Sequence, residues 1–249
     1  MSEARQASER EATPIGLGAA FSVPGCLRAA TVGLGLFLAF LSGAPSPWKV
    51  LPVDFEASAE NPSAQNGVRK AHLAEVNALL KAYGFGPTER VRVARAVVEE
   101  ADAAGFDPLF VMAVVHVESE GEQQAVSSKG ARGLMQLRPQ TLRFVDDLEG
   151  IGLPLGLAGL DDPALNVRLG TRYLKRLARA FGDVNVALSA YNGGPHRVST
   201  LLRAREPIPE NMRQYAMKVQ RTYGRLTRRF RNANGISATA WRPMRIVEG

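Results

Sequence analysis

The stretch Val114–Gln136, VVHVESEGEQQAVSSKGARGLMQ, decides how the rest of the chain is interpreted. It continues a run that begins at Leu109 and is apolar nearly all round, and such a helix belongs in a protein core. The run ends at Glu118, and a polar loop rich in serine and glycine follows it. The chain then becomes apolar again at Gly133-Leu134-Met135-Gln136. The pattern predicts a carboxylate held at the end of a buried helix, with a flexible loop folded over it.

Glu118 is the first acidic residue after this mostly apolar run. Burial against apolar walls disfavours the charged carboxylate and raises its pKa, toward the range where it can hold a proton at neutral pH and donate it. The alternative is that Glu118 marks an ordinary, exposed helix end. Its position alone leaves both interpretations open.

Helix start and stop signals recur along the chain and predict an all-α fold. Asp107-Pro108 and Asp162-Pro163 each place a capping side chain before a proline in the first helical turn. Gly182 is a typical helix stop, and Asp183 can cap the next helix. The expected helices are 64–83, a second one capped by Thr88 and ending near Gly105, 109–119, 139–148, 163–181, 184–192, 196–203 and 210–231. No useful stretch alternates as a β-strand does, so we expect one all-α domain over about 64–231.

Residues 1–44 are expected to be a signal peptide or an N-terminal anchor. Arg28 precedes the apolar run Ala29–Leu41, and the small residues Ser42-Gly43-Ala44 follow it, as in a secretory signal. The run is shorter than the roughly 20 residues that a membrane span needs, which favours cleavage over retention. Residues 45–63 hold prolines and small polar residues and are expected to be a linker. We therefore expect an exported protein.

The exported part is expected to have three sections. Residues 64–104 form an N-terminal helical segment that packs on the core, residues 105–231 form the main domain, and residues 232–249 form a loose C-terminal tail. The full length of 249 residues is enough for one domain with a small appendage.

The net charge of +7 suggests an anionic partner, which would be nucleic acid, a membrane surface or a cell-wall polymer. No basic block is interleaved with aromatic residues as in a nucleic-acid platform, so nucleic acid is not expected. Cys26 is the sole cysteine, and an intrachain disulfide is therefore excluded. His72, His116 and His196 have no metal-ligand spacing, so no metal is expected.

Two motifs, which occur in order, carry a resemblance to a known family. The first consists of Glu118-Ser119, Ser127, Gly130-Ala131 and Gly133-Leu134-Met135-Gln136. The second is Ala190-Tyr191-Asn192-Gly193-Gly194-Pro195, and a weaker third is Arg213-Gln214-Tyr215. With these motifs, the stretch from about 100 to 225 resembles the lytic transglycosylases of the soluble transglycosylase (goose-type-lysozyme-like) family.

The resemblance implies a lysozyme-like catalytic domain over 105–231, which cleaves the bond between N-acetylmuramic acid and N-acetylglucosamine in peptidoglycan. It implies that Glu118 protonates the linking oxygen and then, as a base, takes the proton from the muramoyl C6 hydroxyl. That hydroxyl closes a 1,6-anhydro ring, and no water is consumed. One carboxylate thus acts first as the acid and then as the base. Hydrolysis of a glycosidic bond normally needs a second carboxylate. No second carboxylate stands out among the candidates Glu120, Glu122, Asp146, Asp147, Asp161, Asp162 and Glu210.

Four further site residues carry over by position in the motifs. Ser127 and Gln136 are expected to hydrogen-bond sugar groups beside Glu118. Tyr191 is expected to line the cleft and steady Glu118, and its plain alternative is core packing. Asn192 is expected to bind substrate or to hold the loop. The resemblance implies no metal and no cofactor.

Three positions depart from the family pattern. Glu120 stands where a small or apolar residue is more common, and it either raises the pKa of Glu118 or points to water. Arg138 replaces an apolar residue, and it can meet carboxylates of the muramoyl peptide. Asn211 stands where many relatives have a glutamate, which leaves Glu210 without an assigned role.

Two other functions fit the same scaffold, namely a hydrolytic muramidase and a non-catalytic peptidoglycan-binding module. The expected partner is the glycan strand of peptidoglycan, and the expected location is the periplasm or cell envelope. A monomer is expected. An uncleaved N-terminal segment would add membrane contact, and a cell-envelope machine is a candidate partner. The sequence leaves open whether cleavage is endo or exo.

Overall fold

A computed structural model of the chain describes residues 62–149 and 156–234. These residues form helices and loops, and their only strand-like pairings are isolated bridges of Val126 with Arg132 and of Arg132 with Leu137. The all-α prediction is confirmed for this part of the chain. The helices are α1 (Pro62–Ala82), α2 (Pro87–Ala104), α3 (Pro108–Ser119), α4 (Pro139–Glu149), α5 (Pro163–Phe181), α6 (Val184–Gly193), α7 (Pro195–Ala204) and α8 (Glu210–Asn234), with a 3-10 turn at Gly156–Asp161.

The central helix is α3, which carries Glu118 in its last turn. Every side chain from Pro108 to Val115 is buried. Because such a helix must remove all its faces from water, it packs along α8 and also contacts α1 and α2. The outer helices pack in turn, α2 on α5, α5 on α6 and α6 on α8. The helix end that leaves this core is therefore held rigidly.

The helix boundaries follow the local signals with one exception. The side chains of Asp107, Asp162 and Asp183 each accept a hydrogen bond from a backbone N–H of the helix that follows, as predicted. Gly105 and Gly182 end their helices in the left-handed conformation, also as predicted. The expected Thr88 cap is wrong, because α2 already begins at Pro87, after Gly86, without a side-chain cap. Proline at the first helical position needs no N–H partner, so the helix starts one residue earlier.

The N-terminal helix α1 packs mainly on α2 and touches α3. The division into an N-terminal segment, a main domain and a tail stays a prediction. The expected signal peptide or anchor lies outside the described residues, as do most of the expected linker (45–63) and tail (232–249). The ends of these two segments were predicted wrongly, because residues 62–63 belong to α1 and residues 232–234 to α8. Within the described part, no helix is both long and apolar enough to cross a bilayer.

The loop that follows α3 is fastened to the core by Asn166 of α5, a fully buried side chain. Its carbonyl oxygen accepts from the Met135 N–H at 2.8 Å, and its amide nitrogen donates to the carbonyls of Arg132 and Leu160, both at 3.0 Å. A Cβ on Gly133 would lie 2.3 Å from this amide, so only glycine fits there. One polar side chain therefore satisfies three backbone groups, in two buried contacts and one part-buried contact, and fixes the position of the loop.

Asn166→Ala should lower the free energy of unfolding by about 3 kcal/mol, because it leaves three backbone groups, at two buried contacts and one part-buried contact, without this partner. Urea denaturation followed by circular dichroism measures the change. Asn211→Ala, at an exposed site, is the matched control and should stay within about 0.5 kcal/mol of wild type. Equal stability of the two variants would contradict the role given to Asn166.

Candidate active site

Glu118 lies in the last turn of α3, where the buried helix reaches the surface. Its side chain is half-buried, and its Oε1 accepts a hydrogen bond from the Tyr215 hydroxyl at 2.5 Å. Tyr215 lies in α8, the helix that packs along α3. The carboxyl group is therefore held from a second helix while one side of it stays open.

Burial raises the pKa of Glu118 to about 7. The hydrogen bond from Tyr215 and the positive charge of Lys218 oppose this rise, because both favour the charged carboxylate. Lys218 is exposed on the next turn of α8. Near neutral pH the group is thus present in both protonated and ionised forms, which suits a residue that first gives and then takes a proton.

A second tyrosine, Tyr191 of α6, lies near the same carboxyl group. Its hydroxyl donates to the Met135 carbonyl oxygen at 2.7 Å, and its ring lies 5.5 Å from that of Tyr173. Burial raises the pKa of Tyr191 and of Tyr215 well above the ordinary value, and the nearby charge of Glu118 raises both further. Both tyrosines are therefore neutral donors, but only Tyr215 bonds to Glu118.

The structure places Ser127 and Gln136 in the loop after α3, where both are half-buried and bonded to the loop itself. The Ser127 hydroxyl accepts from the Ala131 N–H at 3.0 Å. The Gln136 amide nitrogen donates to the carbonyls of Ala125 and Gly133, both at 3.0 Å. Gln136 has a positive φ of 47°, an uncommon conformation that these bonds hold in place. These contacts use the side-chain nitrogen of Gln136, and no described hydrogen bond uses its Oε1.

Asn192 is exposed near the C-terminal end of α6, next to Tyr191. It thus lies at the surface, whereas the tyrosine before it points inward to the loop.

Sequence reasoning did not assign roles to two residues that the structure places at the site. Ser119 Oγ contacts the Leu134 carbonyl oxygen at 2.9 Å and accepts from the Gly121 N–H at 3.2 Å, so it links the end of α3 to the loop. Tyr215 holds the carboxyl group of Glu118. The signal for both was present, because each belongs to a motif that carried the family resemblance.

The other acidic residues have different surroundings. Asp161 forms a bidentate pair with Arg132, and Asp162 caps α5 and pairs with Arg92. Glu210 is exposed and bonded to Arg213 and Gln214. Exposed positions are also found for Glu120, Glu122 and Asp147, and the side chain of Asp146 is not among those described. None of these carboxylates is among the groups that shift the pKa of Glu118.

Glu120 and Arg138, the two departures closest to the site, both face solvent. Glu120 ends α3 in the left-handed conformation, with φ 54°, and its side chain is exposed. Of its two interpretations, the structure favours the one in which it points to water. In the described residues, no group of three His, Cys, Asp or Glu side chains lies close enough to hold a metal ion.

Comparison with known proteins places this geometry in a family. Residues 95–214 match the family model of the transglycosylase SLT domain. Over 94 residues the chain is 38% identical to a transglycosylase of Enterobacteria phage PRD1. The aligned part covers 38% of this chain and 32% of that protein. It is also 36% identical over 94 residues to the soluble lytic murein transglycosylase of Salmonella typhimurium, covering 37% of this chain and 15% of that protein. The chain thus spans a third or less of the length of these curated relatives.

Among solved structures, the complex of the 70-kDa soluble lytic transglycosylase with bulgecin A matches with a TM-score of 0.50 and 22% identity. The match covers 75% of this chain and 34% of that chain, and at this identity it shows the fold alone. The expected lysozyme-like fold is confirmed. Residues 95–214, which hold Glu118 and both main motifs, match the family of transglycosylase SLT domains, and the resemblance expected from the motifs is confirmed over this part of the chain.

Proposed function

We propose that this protein is a peptidoglycan lytic transglycosylase that uses Glu118 first as an acid and then as a base. One observation carries the proposal: the half-buried carboxyl group of Glu118 has a pKa of about 7, and no other carboxylate whose side chain the structure describes contributes to that shift. A hydrolase normally needs a second carboxylate to activate water or to form a covalent intermediate. The observed site therefore favours the reaction that needs only one.

In the proposed reaction, protonated Glu118 donates its proton to the oxygen between N-acetylmuramic acid and N-acetylglucosamine. The C1–O bond breaks, and positive charge develops at C1 of the muramoyl residue. The ionised Glu118 then removes the proton from the C6 hydroxyl, whose oxygen bonds to C1 and closes a 1,6-anhydro ring. Glu118 is protonated again at the end, so the cycle closes without water.

The Tyr215 hydroxyl supports both halves of this cycle. It donates to Oε1 of Glu118, which leaves Oε2 to carry the transferable proton. Because the hydrogen bond stabilises the carboxylate, it lowers the free-energy cost of the charged state that must act as base. Burial acts in the opposite direction and makes the group a competent acid. The two influences together keep the pKa near the pH at which the enzyme would work.

Of the four other predicted site residues, two are proposed to bind substrate and two to hold the wall of the cleft. Gln136 offers its Oε1, and Asn192 offers an exposed side chain beside Tyr191. The roles of Ser127 and Tyr191 are to hold the wall of the cleft, because their polar atoms bond to the Ala131 N–H and to the Met135 carbonyl. Sugar hydroxyls would meet a surface whose polar atoms are already fixed in place.

Peptidoglycan is proposed as the substrate because the relatives are named transglycosylase and soluble lytic murein transglycosylase. An action on the cell wall also requires export, for which the signal-like segment at residues 28–44 is the sequence feature. Location in the periplasm or cell envelope, a monomeric state and service to an envelope machine remain predictions.

Glu118→Gln should reduce cell-wall lysis at least about 100-fold, because the amide can neither donate the acid proton nor act as base. The measurement is turbidity loss of purified sacculi, with sedimentation to show that the variant still binds them. Glu122→Gln, an exposed glutamate in the adjacent loop, is the matched control and should retain activity. If Glu118→Gln lyses sacculi at the wild-type rate, Glu118 is not the acid.

Mass spectrometry of the released muropeptides should find 1,6-anhydro-muramoyl ends, lighter by one water molecule than the reducing ends that hydrolysis produces. The reason is that the C6 hydroxyl, and not water, attacks C1. Incubation in ¹⁸O-labelled water serves as the control, because only a hydrolase would incorporate the label at C1. Labelled reducing ends would establish the muramidase alternative instead.

Tyr215→Phe should move the alkaline limb of the kcat/KM profile to higher pH. The acid must be protonated in the free enzyme, so kcat/KM falls as the pH rises through the pKa of Glu118, which is about 7. Loss of the Tyr215 hydroxyl removes a bond that lowers this pKa, and the limb must therefore shift upward. Tyr223→Phe, in the same helix and bonded to Asp107 instead, should leave the limb in place. A downward shift in Tyr215→Phe would contradict the assignment.

A further inference from the structure

Tyr83 directly follows α1 and lies upstream of residues 95–214, the part that matches the family. Its hydroxyl is hydrogen-bonded to Nδ1 of His116 at 3.0 Å. The two rings lie nearly parallel, 6.2 Å apart with an interplanar angle of 17°. His116 is two residues before Glu118, so this contact reaches the last turn of the helix that carries the proposed acid.

The same side chain also contacts the backbone on the other side of Glu118. A Cβ on Gly121 would lie 2.2 Å from Cγ of Tyr83, which shows that the Gly121 Cα rests directly against the tyrosine ring. Gly121 has a φ of 84°, and Glu120 before it has a φ of 54°. The chain therefore leaves α3 through two consecutive left-handed residues, and Tyr83 covers this turn.

Left-handed backbone at a non-glycine residue costs about 1 kcal/mol or more and persists only where the surroundings impose it. At Glu120 the surroundings include the bond from its own N–H to the His116 carbonyl at 3.0 Å. Tyr83 contacts the His116 ring and the Gly121 backbone, the two ends of this short turn. Burial and the charge of Glu120 raise the pKa of the tyrosine, so its hydroxyl stays protonated and can share a hydrogen bond with His116.

We propose that Tyr83 is a positioning residue for Glu118, and that the catalytic unit of this protein extends upstream of the family domain to include the end of α1. Tyr215 fixes the carboxyl group, Ser119 fixes the loop, and Tyr83 fixes the backbone turn between residues 116 and 121. The inference rests on the proposed function, because positioning has meaning only if Glu118 performs the chemistry. It also gives the N-terminal helical segment a role beyond covering the core.

The alternative is that Tyr83 only adds buried area to the packing of α1. The two interpretations differ in what its loss should change. Lost packing lowers the stability of the whole domain and leaves the folded molecules equally active. Lost positioning lets the turn relax, and small displacements of a proton donor reduce the rate of the chemical step while the sugar contacts remain.

The test compares Tyr83→Ala and Tyr83→Phe with Val76→Ala. Val76 is a fully buried residue of α1 about two turns upstream of Tyr83, so its truncation weakens the packing of α1 without touching the turn. Below the unfolding transition, Tyr83→Ala should lower kcat roughly tenfold with little change in KM. Tyr83→Phe retains the ring over Gly121 and loses the bond to His116. Its kcat should therefore lie between those of wild type and Tyr83→Ala. Val76→Ala should lower Tm and keep the wild-type kcat.

Amide hydrogen exchange gives a readout that does not depend on catalysis. The Glu120 and Glu122 amides donate to the carbonyls of His116 and Ser119 within the turn. They should exchange faster in Tyr83→Ala than in Val76→Ala at equal global stability. Unchanged protection of these amides, or a kcat in Tyr83→Ala equal to that of Val76→Ala, would overturn the inference. Failure of the proposed function is a different result, in which Glu118→Gln retains activity while the exchange at the turn still responds to Tyr83.

Discussion

The pairing of α3 with α8 is the constraint on which the rest of the site depends. Two tyrosines of α8, eight residues apart in sequence, each donate to a carboxylate at one end of α3. Tyr223 bonds to Asp107, the residue that caps the start of the helix, at 2.6 Å, and Tyr215 bonds to Glu118 at its end. Because α3 is apolar between these two residues, its burial supplies the free energy of packing. The two hydrogen bonds fix the position of α3 along the axis of α8.

Asp107 and Glu118 both accept a hydrogen bond from a tyrosine, but they differ in their accessibility to a substrate. Burial raises the pKa of Asp107 to about 6, and that of Glu118 to about 7. Asp107 is buried, and its oxygens are used by the Leu109 N–H and the Tyr223 hydroxyl, so no substrate can reach it. Glu118 is half-buried and bonded to Tyr215 alone among the described hydrogen bonds. Access to solvent, more than the pKa, distinguishes Asp107, a structural carboxylate, from Glu118, the proposed catalytic one.

The accuracy of the sequence predictions depended on the range of the interaction. Helix ends were predictable at Asp107, Asp162 and Gly182, because a cap or a stop is a contact between near neighbours in the chain. Thr88 failed as a cap because Pro87 offered a competing local signal. The placement of Glu118 at the end of a buried helix could also be predicted, since an apolar run followed by an acid is a local pattern.

Contacts between distant residues could not be predicted in the same way. The partner of Glu118 is 97 residues away. Tyr215 belongs to the third motif, but no local pattern around either residue predicts that the two side chains meet. The loop side chains illustrate the same limit. The hydrogen bonds from the Gln136 amide nitrogen to two loop carbonyls were not predicted, because they depend on its uncommon backbone conformation. Periodicity carries information about which face is buried, and it carries none about which polar atoms meet there.

A single carboxyl group that must act as both acid and base requires a raised pKa and an opposing influence that limits the rise. If burial acted alone, the group would hold its proton too firmly to become a base, and if it were fully solvated it would be ionised at neutral pH and could not act as an acid. The Tyr215 bond and the Lys218 charge act against burial at Glu118, and the pKa of about 7 is the result. A second carboxylate at this site would add repulsion and raise the pKa further. Its absence among the described side chains around Glu118 is therefore consistent with a group tuned by burial and one hydrogen bond.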